Sequence, residues 1–161
     1  MTVEVFIKGY YLAPADLLFD QATRLPDTEN ETEGGSDRIR RFKQGHVYGA
    51  DLFSPGLYRL QRVRVRIDRI CHAARIVETT ECNSLARCWR HKQHVKQTQN
   101  GAVWTDRLLI DAGVMTPLIA RYAAFVHKKR HKAQGATAIE TFMAKSYRAT
   151  VNGLPIFQTV D

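Results

Sequence analysis

Glycine and proline are both missing from the 44 consecutive residues Leu57 to Asn100. The usual turn signals are therefore absent there, and long helical structure is the simplest expectation. Long apolar runs are missing too. Leu108 to Ile110 and Ala123 to Val126 are among the longest, far short of the roughly 20 residues a membrane-spanning helix needs. The opening residues Thr2 to Lys8 lack a basic segment followed by an apolar run, so no secretory signal is expected. Cysteine is scarce: three residues, an odd number without framework spacing, exclude a disulfide scaffold and suggest reduced thiols in a cytoplasmic or other intracellular setting.

Catalytic signatures are absent as well. The chain has no P-loop, Gly-x-Gly-x-x-Gly, Gly-x-Ser-x-Gly or His-Glu-x-x-His, and carboxylates are sparse outside one segment. A non-enzymatic role is favoured, with no catalytic residue assigned and no cofactor called for. A site assembled from distant positions would escape such a search.

What remains is an ordinary globular composition, 161 residues with 44% hydrophobic and 25% charged. This fits one domain over residues 1–161 with a real core. The net charge is +8, and its distribution is uneven. Pro26 to Asp37 holds Asp27, Glu29, Glu31, Glu33 and Asp37 and no cation, which leaves the rest of the chain five charges more positive, at +13. This acidic, glycine-ended stretch reads as an exposed loop over about 26–37.

Val3 to Leu12 is β-branched and aromatic, a strand. Pro14, Ala15 and Asp16 open a short helix with Leu17 and Leu18 facing inward. In the glycine-free stretch, Leu60, Val63, Ile67, Ile70, Ala74 and Val77 follow a helical seam. Against that, Arg62, Arg64 and Arg66 alternate with Val63, Val65 and Ile67 as in a half-buried strand. A strand over 58–67 followed by helix to about Gln97 is preferred. Thr116-Pro117 then supplies an N-cap and first turn for a helix to Lys132, with Leu118, Ile119, Tyr122, Phe125 and Val126 as its apolar stripe. Thr137 and Glu140 have capping-box spacing for a second helix, Ala138 to Ala149. Asn152-Gly153 suggests a terminal hairpin between 147–151 and 154–160. The fold expected is α+β and helix-dominated.

The two C-terminal helices have a helix-turn-helix outline. However, His131 stands where the close helix approach needs a small residue, so an ordinary αα-hairpin is the reading. Cys82, Cys88, His91 and His94 have the donor atoms zinc prefers, but their spacing matches no finger. Buried thiols beside solvated histidines are expected there, and no metal ligand is assigned.

Three basic tracts carry the functional reading: 59–69, 87–96 and 128–132. Arginine grips phosphate with two donors, and such a field attracts polyanions. The expectation is a nucleic-acid-binding subunit of a nucleoprotein assembly that holds the phosphate backbone through Arg62, Arg64, Arg66, Lys128, Lys129, Arg130 and Lys132. The alternative is a structural or adaptor subunit, as in a virus or phage particle. Its basic faces would dock on acidic protein surfaces, self-association through the 26–37 loop included.

Overall fold

A computed structural model describes residues 2–24, 41–53, 59–82, 88–143, 150–151 and 154–155. Its centre is a seven-stranded sheet, not a helix bundle. The strands are β1 (Thr2–Tyr11), β2 (Val47–Phe53), β3 (Arg59–Cys71), β4 (Ile76–Cys82), β5 (Cys88–Thr98), β6 (Gly101–Asp111) and β7 (Ala138–Met143). They lie in the order β2-β3-β4-β5-β6-β1-β7, and every neighbouring pair is antiparallel. Two helices, α1 (Ala15–Ala22) and α2 (Thr116–Ala133), pack on the sheet, α1 on β5 and β6, α2 on β1, β6 and β7. A two-residue pair, β8 (Thr150–Val151) with β9 (Leu154–Pro155), flanks Asn152-Gly153. The rest of the expected hairpin, like the acidic stretch 26–37, lies outside the described residues. No helix among the described residues is long and apolar enough to cross a membrane.

The helix-dominated expectation fails first in the glycine-free stretch, whose described residues between Arg59 and Thr98 form three antiparallel strands and no helix. The basic strand is present but longer than 58–67. It shifts register between Ile67 and Arg69. That bulge adds one residue to the alternation, so Ile67 and Ile70 both turn toward apolar surroundings and imitate a helical interval of three. The turn that follows uses no glycine either: Arg75 itself takes the left-handed conformation, at φ 52°.

The second failure is 138–149. Ala138–Met143 is β7, paired along β1 from Val5↔Met143 to Tyr10↔Ala138. Thr137 caps nothing: its hydroxyl donates to the Tyr10 carbonyl at 2.8 Å. Glu140 lies across from Lys8 and accepts from the Tyr10 hydroxyl at 3.3 Å. Local capping chemistry lost to an exposed edge, because β1 still had a row of unpaired backbone groups to satisfy. Among the described residues the segment after α2 forms neither an αα-hairpin nor a helix-turn-helix, and 144–149 lie outside them.

The helix expected at 117–132 is α2, but its buried face differs from the apolar stripe. Leu118 is 59% exposed and Phe125 53%, while Ala120, Ala123, Ala124, His127 and His131 are buried. Thr116 is not the N-cap. It is the first helical residue, and its hydroxyl accepts from the Ala112 amide at 2.9 Å and donates to the Gly113 carbonyl at 2.7 Å.

Two apolar clusters fill the space between sheet and helices. One joins Val3, Val5, Ile7, Trp89, Leu108 and Ile110 to the three alanines of α2. The other joins Leu18, Phe19 and Ala22 of α1 to Tyr11, Val77, Val95, Ala102 and Trp104. The alanines let α2 lie close on the strands. Ala123→Leu should therefore overpack this contact and cost about 1–3 kcal/mol in urea unfolding. Phe125→Ala, on the solvent side, should change stability by no more than about 0.5 kcal/mol. The opposite ranking would place the helix the wrong way round.

Candidate functional site

Along β6 the residues facing the helices are Ala102, Trp104, Asp106, Leu108 and Ile110. One carboxylate therefore occupies a core position, and it is fully buried. Alternation puts Trp104 two residues away on the same face, and its indole N–H donates to Asp106 Oδ1 at 3.0 Å. On β5, Gln93 pairs with Asp106 and His91 with Leu108, so His91 approaches diagonally on that face, its Nε2 3.2 Å from Oδ1. From above, His127 and His131, one helical turn apart on α2, reach the other oxygen: His127 Nδ1 lies 2.9 Å and His131 Nε2 3.1 Å from Oδ2. Tyr11 on β1 closes the chain, its hydroxyl 2.6 Å from His131 Nδ1.

A strand glycine makes room for this. A Cβ on Gly9, which pairs with Trp104, would lie 2.5 Å from His131 Nδ1. Any larger residue there would push the imidazole off the sheet.

Burial by itself would raise the Asp106 pKa. The charge of His91 and the hydrogen bonds from His127 and His131 outweigh it and hold the carboxyl well below its usual range. His127 is pushed down to about 4, chiefly by burial, against the pull of Asp106. At neutral pH, Asp106 is thus an anion and His127 a neutral imidazole donating through Nδ1. Toward the same anion His131 donates through Nε2–H, which leaves Nδ1 to accept the Tyr11 O–H. Burial and the Asp106 charge push the Tyr11 pKa up, so the phenol keeps its proton. The result is a directed relay, Tyr11 to His131 to Asp106, with His127 donating from the side.

His91 is different. It is 4% exposed, and although its Nε2 is near Oδ1, the direction is wrong for a hydrogen bond and the atom has no partner. Thr79, which pairs with His91 on β4, and Trp89, two residues along β5, also bury an unpartnered Oγ1 and Nε1. Glu81 pairs with Trp89. Burial pushes its pKa up while His91 and Arg130 pull it down. Three orphaned polar atoms on one face of two adjacent strands contrast with the satisfied relay beside them.

The structure does not gather the expected basic residues into one surface. Arg62, Arg64 and Arg66 all belong to β3. Arg64 and Arg66 are exposed, opposite in alternation to the buried Ile67, and Arg66 donates to Asp68 at 2.7 Å. They therefore leave the sheet on the face away from α2. Lys128, Lys129 and Lys132 are exposed on α2, across the sheet from those arginines, and Arg130 lies 5.0 Å from the centre of the Trp104 ring. The cysteine–histidine group is not assembled either. Cys82 is exposed, and His94 lies on the face of β5 opposite His91.

The site the sequence reading missed left two signals: Asp106 in the inward register of an otherwise apolar alternation, and two histidines at i and i+4 on one helix face.

No protein-family model matches the chain, and no curated protein sequence matches it. Solved structures do share its fold. Ara h 8.0201 aligns with a TM-score of 0.56 at 15% identity, over 81% of this chain and 94% of its own. The Arabidopsis thaliana protein At1g70830, of the major latex protein family, gives 0.51 at 12%, over 83% and 92%. A norcoclaurine synthase point mutant from Thalictrum, in complex with a transition state analogue, gives 0.54 at 13%, over 83% and 91%. These neighbours overturn the nucleoprotein-subunit expectation and its adaptor alternative.

The relay has a pH signature. Because the folded His127 pKa is depressed, the stability it contributes is complete above its unfolded value of about 6.5 and is lost as pH falls toward its folded value. Asp106 acts in the same direction at lower pH, below its unfolded value of about 3.9. Urea unfolding should show a loss of roughly 2 kcal/mol from this imidazole between about pH 7 and pH 4.5. His127→Asn should remove that part of the slope, and a wild-type slope in the variant would contradict the assignment. Gly9→Ala should destabilise by about 1–3 kcal/mol through its clash with His131. Seven antiparallel strands with α2 laid across β1 and β6 therefore resemble a Bet v1-like fold.

Proposed function

We propose that this chain binds a small organic molecule under α2, with an oxygen acceptor of the ligand placed against β4 and β5. The observation that carries the reading is the pair of buried, unpartnered groups Thr79 Oγ1 and Trp89 Nε1. An indole N–H can only donate, so its partner must be an acceptor. Leaving such a group unpaired in the interior costs about 1–3 kcal/mol. Two of them on neighbouring strands favour a visiting molecule over the fold itself as the partner. The surroundings suit a ligand with an apolar body. Trp89 packs with Ile110, Val3 and the alanines of α2. The Arg130 charge, felt by Glu81 beside Trp89, favours a carboxylate, phenolate or carbonyl at the polar end. The norcoclaurine synthase mutant, in complex with a transition state analogue, supports the idea that this fold can hold a small molecule.

Anilinonaphthalene sulfonate, an apolar body with one anionic oxygen group, is a direct probe. Fluorescence titration of the folded protein should give saturable binding, with Trp89→Phe and Thr79→Val each weakening it about five- to tenfold, the loss of one hydrogen bond. In the absence of any ligand Thr79→Val should unfold at wild-type or slightly higher urea concentrations, since it removes an unpaired polar atom and keeps the side-chain shape. If Thr79→Val instead destabilises the free protein by more than about 1 kcal/mol, the hydroxyl already has a partner within the fold and the reading is wrong.

A further inference from the structure

We propose that His91, Asp106 and His127 form a binding site for one divalent transition-metal ion, with His131, Tyr11 and Trp104 as the outer groups that orient the carboxylate. The inference stands apart from the small-molecule reading, since it rests on His91 and needs neither Thr79 nor Trp89.

The first argument is geometric. One donor atom from each of the three residues lies within 4.8 Å of the other two. His127 Nδ1 lies 2.9 Å from one carboxylate oxygen, Oδ2, and His91 Nε2 3.2 Å from the other, Oδ1. A tetrahedral ion with bonds of about 2.0–2.1 Å holds its ligands about 3.3 Å apart, so each nitrogen already stands at about that spacing from a carboxylate oxygen. The His91 and His127 rings meet edge to face at 4.7 Å between centroids, and a small closing movement of these rings completes the triangle.

The second argument is the state of His91. Its Nε2 is buried, faces Asp106 Oδ1, and is not aligned to donate to it. A metal ion satisfies both atoms at once. In that state His127 uses Nδ1 as a ligand and carries its proton on Nε2.

The third argument is the outer ring of support. Metal-binding carboxylates are held by further hydrogen bonds. Asp106 retains two after giving up His127: His131 Nε2 at 3.1 Å, itself fixed by the Tyr11 hydroxyl at 2.6 Å, and Trp104 Nε1 at 3.0 Å. One carboxylate and two neutral imidazoles leave a divalent ion with one excess positive charge, which Arg130 opposes and which Glu81, its pKa raised by burial, offsets only when ionised. Two nitrogens and one oxygen suit zinc, cobalt or nickel and not magnesium or calcium, and three protein ligands leave a tetrahedral ion one open position.

The test uses the full chain after dialysis against a chelator, titrated with cobalt(II) and followed by visible absorption, with zinc as competitor. One equivalent of cobalt should give the intense bands of a four-coordinate site, zinc should abolish them, and magnesium should leave them unchanged. His91→Leu removes a ligand, so it should lose at least about 100-fold in cobalt affinity while keeping the wild-type fold by far-ultraviolet circular dichroism. Tyr11→Phe should lose about tenfold, as outer-group substitutions do. Thr79→Val should bind cobalt like wild type, which separates this site from the proposed organic ligand. Absence of cobalt bands at millimolar metal overturns the proposal. So does full binding by His91→Leu, which would put the ion on surface histidines. Either result leaves the dye-binding reading to its own test.

Discussion

The ionised carboxylate of Asp106 is the constraint around which this molecule is arranged. A charge fully removed from water costs many kcal/mol unless donors surround it, and here the donors come from distant parts of the chain. Trp104 shares its strand, and His127 and His131 come from the helix above. Tyr11, at the end of β1, fixes the tautomer of His131. The carboxylate is therefore a coupling point between the sheet and α2. It also lies at the seam where the cluster beneath α2 meets the cluster beneath α1.

That coupling explains the unusual face of α2. A helix bound to a sheet by packing alone would bury its leucine and phenylalanine, yet Leu118 and Phe125 point to solvent and alanines line the contact. Small side chains bring the helix axis close enough for two imidazoles to reach one carboxylate, and Gly9 removes the last obstacle on the sheet. Polar geometry has set the rotation of the helix, and the apolar residues have taken the places left over. The same closeness brings the His127 ring against His91 and leaves Thr79, Trp89 and His91 with polar atoms the fold does not satisfy. A complete relay next to an incomplete polar face is the pattern of a site that is preorganised on one side and open for a partner on the other.

Legibility in the sequence varied with how local the deciding interaction was. The N-terminal strand and α1 were readable because β-branched alternation and Pro14 act over a few residues. The position of α2 was readable from Thr116-Pro117, but its rotation was not, since that depends on Asp106, some twenty residues upstream. The stretch 59–98 misled because its turns use Arg75 in a left-handed conformation and no glycine, and because the bulge near Asp68 imitates helical spacing. The segment 138–143 misled because a sound capping box competes with a free strand edge, and only the assembled sheet shows that edge. Of the site, the two histidines at i and i+4 and the single acid in an apolar alternation were visible. Their meeting was not, because nothing in either pattern says which strand the helix covers.

Composition by itself determined that the chain can bury a core and that no stretch suits a membrane-crossing helix, and it placed the excess positive charge outside 26–37. Those properties are sums over residues and do not depend on arrangement. Where the charge points, which histidines lose water, and whether a carboxylate becomes a surface anion or a buried organiser were decided by the tertiary structure. Pairing β6 with β5 and β1 and laying α2 across them sets the distances between groups far apart in the chain. Electrostatic and hydrogen-bond energies depend on those distances and on burial, neither of which a linear sequence contains.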